Sequence, residues 1–359
     1  MPNITAQSSI LACLLTPSKF KSAPLKQLAF LCGVKSSGNK DELVERLIAV
    51  ADARQADPNK NRDLRVMSID LGIRNLGFSF QLPVASSRVI ERSPPPDFRQ
   101  PPPVYLRAWQ RRELLRPEGS ETAAALQSER FSPASLAVVA DRLVRQDIVP
   151  LKPTHVLIER QRWRSAGAAG VQEWTLRVNT LEAMLHASLR TLREIGAWHG
   201  EILSVAPDRV TQFWPPTPEA SEDSPANTKR RSAKSEMEET GSKKKTKAKL
   251  HSKKHKIGVL RSWLAEDERI IEPTNQDTKE AVMRFRDLLT RPRRSKGVGE
   301  DLESRKLDDL TDCLVQGITW LRWEQNRAFL LGNKARVYYE EPKKLDELLA
   351  GSLLDNDIE

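Results

Sequence analysis

Two short apolar segments of this chain each end on a carboxylate, and they constrain the fold more than any other feature. The first is RVMSID, residues 65–70, and the second is HVLIE, residues 155–159. Apolar runs of five or six residues between polar flanks are short for a core helix and favour buried strands. The sequence therefore predicts an α/β fold in which Asp70 and Glu159 stand at strand ends.

The residues around these segments predict the rest of the sheet and its helices. Gly72 and Asn75 allow a tight turn after the first strand, and the alternating segment LGFSFQL, residues 76–82, predicts an antiparallel partner. The proline-rich residues 94–103 predict a loop. A further strand is predicted over 202–206, helices over 133–147, 171–196 and 303–330, and helical fragments over 257–290.

A third group of carboxylates lies at the start of the last predicted helix. Asp309 lies three residues before Asp312, and Asp308 lies four residues before it. The three acids can therefore share a helix face, opposite the apolar stripe. If these acids meet those of the strands, they repel one another unless cations lie among them. Oxygen ligands of this kind suit Mg²⁺ or Mn²⁺, and two such ions can activate water for phosphodiester hydrolysis. Taken singly, each acid could equally cap a turn or favour the helix dipole.

Residues 25–50 predict a small helical hairpin ahead of the sheet. A leucine stripe forms a first helix that Gly33 ends, and a second amphipathic helix opens at Lys40. The spacing resembles that of a SAP module, a small DNA-binding unit, through Leu28, Gly33, Gly38, Lys40, Glu42, Leu43, Arg46 and Leu47. This resemblance implies DNA contacts by Lys40 and Arg46. A purely structural hairpin is the alternative.

The net charge of +10 comes mostly from one tract. Residues 229–256 hold 12 lysines and arginines against three glutamates, a net of +9. The surrounding residues 215–256 are rich in Pro, Ser, Lys and Glu, so they predict a disordered insert. Such an insert could be simply solvated, or it could attract nucleic acid by releasing counterions.

Other features exclude protein classes or suggest a compartment. Three widely spaced cysteines exclude a disulfide scaffold and a cysteine zinc site and favour a reducing compartment. No run of 18 apolar residues is present, which excludes a membrane-spanning helix. Residues 1–24 contain Ser, Thr and Lys but no acid, as a mitochondrial presequence does, although arginine is missing. An ordinary disordered N-terminus is the alternative.

Three motifs, in this order, resemble those of RuvC-type nucleases of the RNase H-like superfamily. They are SIDLGIRNLGFS at 68–79, VLIERQ at 156–161 and KLDDLTDCL at 306–314. With the SAP-like hairpin, the chain resembles the fungal mitochondrial Holliday junction resolvases. The resemblance implies a mixed five-stranded sheet flanked by helices and a Mg²⁺-dependent endonuclease in which Mn²⁺ can substitute. The implied catalytic metal ligands are Asp70, Glu159, Asp309 and Asp312, with Asp308 replacing Asp309 if the four-residue spacing holds.

The same resemblance implies how such a protein acts. A mitochondrial homodimer would bind a four-way DNA junction and resolve it by paired symmetric nicks that leave 5′-phosphate ends. Two-fold symmetry suits this task because two nicks need two active sites. The helix over 171–196 is the candidate dimer element, although such helices are more often core. Two alternatives stay open, namely a non-catalytic junction-binding scaffold and a nuclease for RNA–DNA hybrids or general duplex DNA.

Basic residues near the motifs are the candidate DNA contacts, because Arg and Lys bind phosphates. Besides those of the hairpin they are Arg74, Arg160, Arg162, Arg164, Lys253, Lys254 and Lys256, together with the polar Asn75. A loop with exposed charges is the alternative for the arginines after Glu159, and Asn75 could simply form the turn. The expected domain boundaries are 1–24 for the presequence or disordered segment, 25–50 for the hairpin, 51–63 for a linker, 64–335 for the nuclease domain with its insert at about 215–256, and 336–359 for an acidic tail.

Overall fold

The structure is a computed structural model. It describes residues 15–57, 59, 63–73, 75–84, 97–115, 131–161, 173–215, 253–265, 269–290, 298–332 and 335–350, with the backbone alone for 298–306. Within the described ranges no helix is both long enough and apolar enough to cross a membrane.

Six strands of the described residues form one mixed sheet. They are β1 (Val66–Asp70), β2 (Leu76–Pro83), β3 (Val104–Arg112), β4 (His155–Glu159), β5 (Glu201–Val205) and β6 (Ile271–Pro273), in the spatial order β5-β4-β1-β2-β3-β6. β2 runs antiparallel to β1 and β3, and the other neighbours pair in parallel. The predicted turn and antiparallel partner after Asp70 are therefore confirmed.

β6 is a difference from the sequence prediction. The expected five-stranded sheet gains this sixth strand, and the prediction of helical fragments throughout 257–290 is wrong at Ile271–Pro273. The segment lies beside β3, where the Val104 N–H donates to the Ile270 carbonyl and the Thr274 N–H donates to the Leu106 carbonyl. Pairing with a distant strand decides the conformation of these three residues.

Helices cover both faces of the sheet. They are α1 (Ser22–Leu31), α2 (Lys40–Ala56), α3 (Pro133–Arg142), α4 (Glu173–Glu194), α5 (Pro207–Phe213), α6 (253–263), α7 (Gln276–Thr290), α8 (Val298–Leu330), α9 (Arg336–Glu340) and α10 (Pro342–Ala350). A π-helix, Leu143–Ile148, continues α3. α3 and α4 pack on one face, and α8 packs on the other.

Strand alternation decides which face each carboxylate points toward. Val66 and Leu157 pack on the α8 side of the sheet, whereas Met67 and Val156 pack on the α3–α4 side. Successive side chains of a strand point to opposite faces. Asp70 lies four residues after Val66, and Glu159 lies two residues after Leu157. Both carboxylates therefore face α8.

Buried hydrogen bonds hold α8 in register on the sheet. The Ser79 hydroxyl on β2 donates to the Cys313 carbonyl at 3.1 Å, and the Trp109 indole on β3 donates to the Leu310 carbonyl at 2.9 Å. A buried polar group without a partner is costly, so these bonds resist sliding of the helix along the sheet. The carboxylates of α8 are thereby placed relative to β1.

The N-terminal hairpin, α1 and α2, is docked on the second half of α8. The Asn326 amide donates to the Leu31 carbonyl at 2.8 Å, and Arg54 of α2 pairs with Glu324 at 2.7 Å. The turn between the two helices contains Gly33 with φ +65°, a conformation that favours glycine. The predicted linker over 51–63 is corrected, because α2 continues through Ala56 and packs there.

The two terminal segments that the sequence analysis separated from the domains, 1–24 and 336–359, are each partly folded. Leu15 and Phe20 are buried, and Phe20 packs edge-on against Tyr339. The predicted segment 1–24 is therefore corrected from residue 15 onward, and residues 1–14 lie outside the described ranges. The predicted acidic tail 336–359 is corrected over 336–350, because α9 and α10 pack on the hairpin and Gln27 donates to the Leu349 carbonyl.

The predicted insert is corrected at its C-terminal end. Residues 253–256, which were predicted as the end of the insert, form the first turn of α6. His255 and Lys256 are buried there. Residues 216–252 lie outside the described ranges. Burial of the last lysine of a basic tract requires a partner of opposite charge, which α8 supplies.

We expect Leu345→Ala to lower the free energy of unfolding by about 2–4 kcal/mol, because Leu345 of α10 is fully buried against the hairpin. The matched control is Val337→Ala, since Val337 of α9 is 47% exposed. Chemical denaturation should show a change within about 0.5 kcal/mol for the control. Equal, small effects of both substitutions would contradict the packing of α10.

Candidate active site

Asp70, Glu159 and Asp312 meet at one edge of the sheet. β1 and β4 are parallel neighbours in which Ile69 lies opposite Ile158, so both strands reach their final carboxylate side by side. α8 crosses the same edge. One carboxylate oxygen from each of the three acids lies within 4.8 Å of the others. Residues that are far apart in the sequence thus form one cluster.

The cluster concentrates negative charge at a partly buried place. Burial raises the pKa of Asp70 well above its usual value, and the carboxylates of Glu159 and Asp312 raise it further. Like charges at this spacing repel strongly in a medium of low dielectric constant. The donor set consists of carboxylate oxygens alone, which fits a hard divalent cation.

A lysine of the chain also reaches the cluster. Lys256 of α6 is nearly buried, and its Nζ lies 2.5 Å from Asp312 Oδ1. Burial by itself would lower the pKa of Lys256, but the carboxylates of Asp312 and Glu159 outweigh it and raise this pKa. One turn earlier, Lys253 pairs with Asp308. α6 and α8 therefore face each other with two lysines against two aspartates.

Asp309 lies beside the cluster and is held by Arg111 of β3. Arg111 Nε is 3.0 Å from Asp309 Oδ2, and the same guanidinium donates to the side-chain oxygen of Asn75. Burial raises the pKa of Asp309 to about 6, against the lowering effect of Arg111. Gly77 of β2, opposite Asp70, lets this region close, because a Cβ there would lie 2.4 Å from the Asp309 carbonyl oxygen.

The predicted ligands thus separate into three groups. Asp70, Glu159 and Asp312 form the cluster. Asp309 is adjacent to it and is turned toward Arg111. Asp308 is buried, pairs with Lys253 of α6 and is not one of the three clustered acids.

The predicted DNA contacts of the hairpin have different surroundings. Arg46 pairs with Glu42 at 2.7 Å and donates to the carbonyls of Lys35 and Ser37, so it holds the turn before α2. Its guanidinium is still partly exposed. Lys40 is half-buried at the start of α2.

The other predicted DNA contacts include exposed residues, residues that bind protein groups, and residues outside the described ranges. Arg160 is exposed directly after Glu159, and Lys254 is exposed on α6. Asn75, Lys253 and Lys256 instead bind protein groups, as described above. Arg74, Arg162 and Arg164 lie outside the described residues.

Two residues near the site escaped the sequence interpretation. Arg111 belongs to β3, which the sequence analysis did not predict as a strand. The alternation of apolar and polar residues over 104–112 was the signal that could have predicted it. Glu182 of α4 accepts from the Gln161 backbone N–H at 3.3 Å, and burial raises its pKa. It supports the segment that follows Glu159, but one acid on an amphipathic helix carried no signal for this role.

The chain is similar to proteins of known activity. The family described as "Mitochondrial resolvase Ydc2 / RNA splicing MRS1" matches residues 66–330. A Schizosaccharomyces pombe protein named "Cruciform cutting endonuclease 1, mitochondrial" is 26% identical over 304 residues, which covers 84% of this chain and 91% of that protein. A Saccharomyces cerevisiae protein of the same name is 23% identical over 331 residues, covering 85% and 82% respectively.

A solved structure extends the similarity to three dimensions. The crystal structure of the yeast mitochondrial Holliday junction resolvase Ydc2 superposes with a TM-score of 0.53 at 23% identity, covering 89% of this chain and 98% of that chain. The predicted α/β fold, a mixed sheet flanked by helices, is therefore confirmed, with β6 added to the sheet. The family match runs from β1 to the end of α8 and includes all three clustered carboxylates. The chain accordingly belongs to the mitochondrial resolvase Ydc2 / RNA splicing MRS1 family.

Proposed function

We propose that this protein is a divalent-metal-dependent endonuclease that resolves four-way DNA junctions in mitochondria. The observation that carries the proposal is the convergence of Asp70, Glu159 and Asp312 at the edge of the sheet. The curated relatives are named as mitochondrial cruciform-cutting endonucleases, which supports both the substrate and the compartment.

Family membership alone leaves a second role open, because the family description names an RNA-splicing protein beside the resolvase. A scaffold has no use for three mutually repelling carboxylates at a partly buried place, where they destabilise the fold. This chain has the complete cluster. The nuclease role is therefore favoured over the scaffold role.

The chain's own residues would have distinct tasks in hydrolysis. Asp70, Glu159 and Asp312 would hold the cation, which we propose to be Mg²⁺ with Mn²⁺ as a substitute, and Asp309 would be a further ligand positioned by Arg111. A bound divalent ion lowers the pKa of water and stabilises charge on the phosphodiester. Lys256 reduces the repulsion among the carboxylates. The expected products are symmetric nicks with 5′-phosphate ends.

We propose a homodimer, because two nicks on a two-fold junction require two active sites. Exposed apolar side chains near the start of α4 support this assembly. Trp174 is 41% exposed, Leu176 is 47% exposed, and Val138 of the neighbouring α3 is 60% exposed. Sedimentation of the full chain should give twice the monomer mass, and a monomer at micromolar concentration would contradict the proposal.

The function is tested by offering three labelled substrates, namely a four-way junction, a linear duplex and an RNA–DNA hybrid, with Mg²⁺ or Mn²⁺. Paired nicks confined to the junction are the expected result. Tight junction binding without cleavage in either metal would overturn the enzyme and favour the scaffold. Cleavage of the hybrid instead would keep the carboxylate site and overturn the substrate.

We expect Arg111→Ala to reduce junction cleavage by about 10- to 100-fold, as loss of a group that orients a metal ligand usually does. The substitution removes the partner of both Asp309 and Asn75. Arg107→Ala is the matched control, because Arg107 lies on the same strand with its side chain exposed. Single-turnover cleavage rates decide the matter, and equal rates for the two variants would refute the positioning role.

A further inference from the structure

A cavity of about 400 Å³ lies between the helical hairpin and the nuclease domain. α2 forms one wall, and β5, α5 and α8 form the other. The cavity runs along β5, from Glu201 at its start to Arg209 just beyond its end. Trp323 of α8 also lines it.

The acids that line the cavity have partners within the protein. Glu201 pairs with Arg193, Glu324 pairs with Arg54 and Arg327, and Asp57 pairs with His155. Arg209 differs from the other arginines of the lining. Its Nη1 donates to the Gly33 carbonyl at 2.9 Å, and no carboxylate forms an ion pair with it among the described residues.

Arg209 also lies close to other positive charges. Burial lowers the pKa of Arg209, and the charges of Arg160, Arg327 and Arg46 lower it further, against the raising effect of the neighbouring Asp208 carboxylate. The Arg160 backbone N–H donates to the carbonyl of Val205, four residues before Arg209, at 2.8 Å. Arg160 also forms no ion pair within the described part of the chain. Two guanidinium groups that form no ion pair among the described residues thus stand at the sheet edge that carries Glu159.

We infer that Arg209 and Arg160 together bind a backbone phosphate of the DNA junction, on the arm that passes from the active site toward the helical hairpin. Arg160 directly follows the carboxylate Glu159, so this phosphate lies near the scissile one. Arg209 contacts the hairpin through Gly33, so the same site joins the hairpin to the DNA path. This inference rests on the proposed function.

Guanidinium groups suit this ligand for two reasons. Their planar donors match phosphate oxygens, and they keep their charge at any physiological pH. A bound phosphate would form with Arg209 the direct ion pair that no carboxylate of the described residues forms with it. A neutral or cationic ligand would leave the repulsion between the arginines in place.

The test measures junction binding by the full-length protein in an Asp70→Asn background without divalent metal. Arg209→Gln keeps a donor for the Gly33 carbonyl and removes the charge. We expect it to weaken binding about five- to tenfold and to lower the slope of log affinity against log salt by about one. Arg160→Gln should do the same, and because Arg160 is exposed this variant should keep the parent's unfolding midpoint. Arg209→Lys should restore the salt slope.

Arg193→Gln is the matched control, since Arg193 lines the same cavity but pairs with Glu201. It should bind within about twofold of the parent, as surface ion pairs contribute little. Parental affinity and slope in both Arg209→Gln and Arg160→Gln would overturn the inference alone. Weaker binding with an unchanged slope would also overturn it, because that result indicates altered packing. A parent that does not bind junctions would overturn the proposed function and this inference together.

Discussion

Asp70→Asn is expected to lower junction cleavage by at least about 10³-fold, or roughly 4 kcal/mol of transition-state stabilisation, while junction binding stays within about threefold. Asn keeps the shape of Asp but lacks the charge that holds a hard cation. Asp70 is also the acid at the end of the central strand β1, beside Glu159 and the Asp312 carboxylate of α8, so no other carboxylate replaces it among the three that cluster. Single-turnover cleavage and equilibrium binding of the same labelled junction measure both quantities.

Asp141→Asn is the control for this substitution, because Asp141 is an exposed acid of α3 that pairs with Arg145 one turn away. Its cleavage rate should equal that of the wild type. A variant at Asp70 that retains more than about a tenth of the wild-type rate would show that the carboxylate is not a ligand of an essential ion.

The same substitution should stabilise the metal-free protein in a pH-dependent way. The pKa of Asp70 is raised in the folded state, so the stability contributed by its protonated form is present below the unfolded pKa and is lost as pH rises through the folded pKa. The unfolding midpoint of Asp70→Asn should therefore exceed that of the wild type in EDTA by an amount that grows as the pH rises above about 4, the pKa of Asp in an unfolded chain. Added Mg²⁺ should raise the midpoint of the wild type more than that of the variant. A pH-independent difference would contradict the buried repulsion.

Gly77→Ala is expected to damage both folding and cleavage. The new methyl carbon would lie 2.4 Å from the Asp309 carbonyl oxygen and 2.9 Å from its carbonyl carbon, and both atoms are backbone. An ordinary contact needs about 3.5 Å, so α8 or β2 must move by about 1 Å. We expect a loss of about 1–3 kcal/mol in the free energy of unfolding and of about 100-fold in cleavage rate, because Asp312 moves with the helix.

Gly196→Ala separates these two effects. Gly196 has φ +73°, but no atom lies within 4 Å of the position that the new methyl group would take, so only backbone strain opposes the change. It should destabilise the protein by about 1–2 kcal/mol and leave cleavage unchanged. If both glycine variants lost cleavage equally, reduced stability and not displacement of α8 would explain the effect.

The strand ends of the site were predictable because they depend on local signals. Asp70 and Glu159 each end a short apolar run. Each acid lies three residues after a residue of the opposite face, Met67 or Val156, so strand alternation places both acids on the same side of the sheet. The long helix α8 was predictable from its apolar period. The order of these elements along the chain also carries the family resemblance.

The choice among the three aspartates of α8 was not predictable from spacing. Residues three and four apart lie on the same helix face, so Asp308, Asp309 and Asp312 are nearly equivalent on a helical wheel. Their counter-charges come from other elements, Lys253 and Lys256 of α6 and Arg111 of β3. These partners are between 55 and 198 residues away in sequence, and only the packing of α6 and β3 against α8 brings them near.

By itself, the sequence determined the strands and the helix that carry the three motifs, the motif order and the carboxylates that could take part in a site, because periodicity and residue type are local properties. It did not determine β3 or β6. Only the tertiary structure decided that Asp312 completes the cluster, that Asp309 turns to Arg111, and that the hairpin packs on α8 instead of standing apart on a linker. Each of these outcomes depends on a contact between distant residues. The free energy of such a contact exists only when both partners are in place, so neither partner's local sequence specifies it.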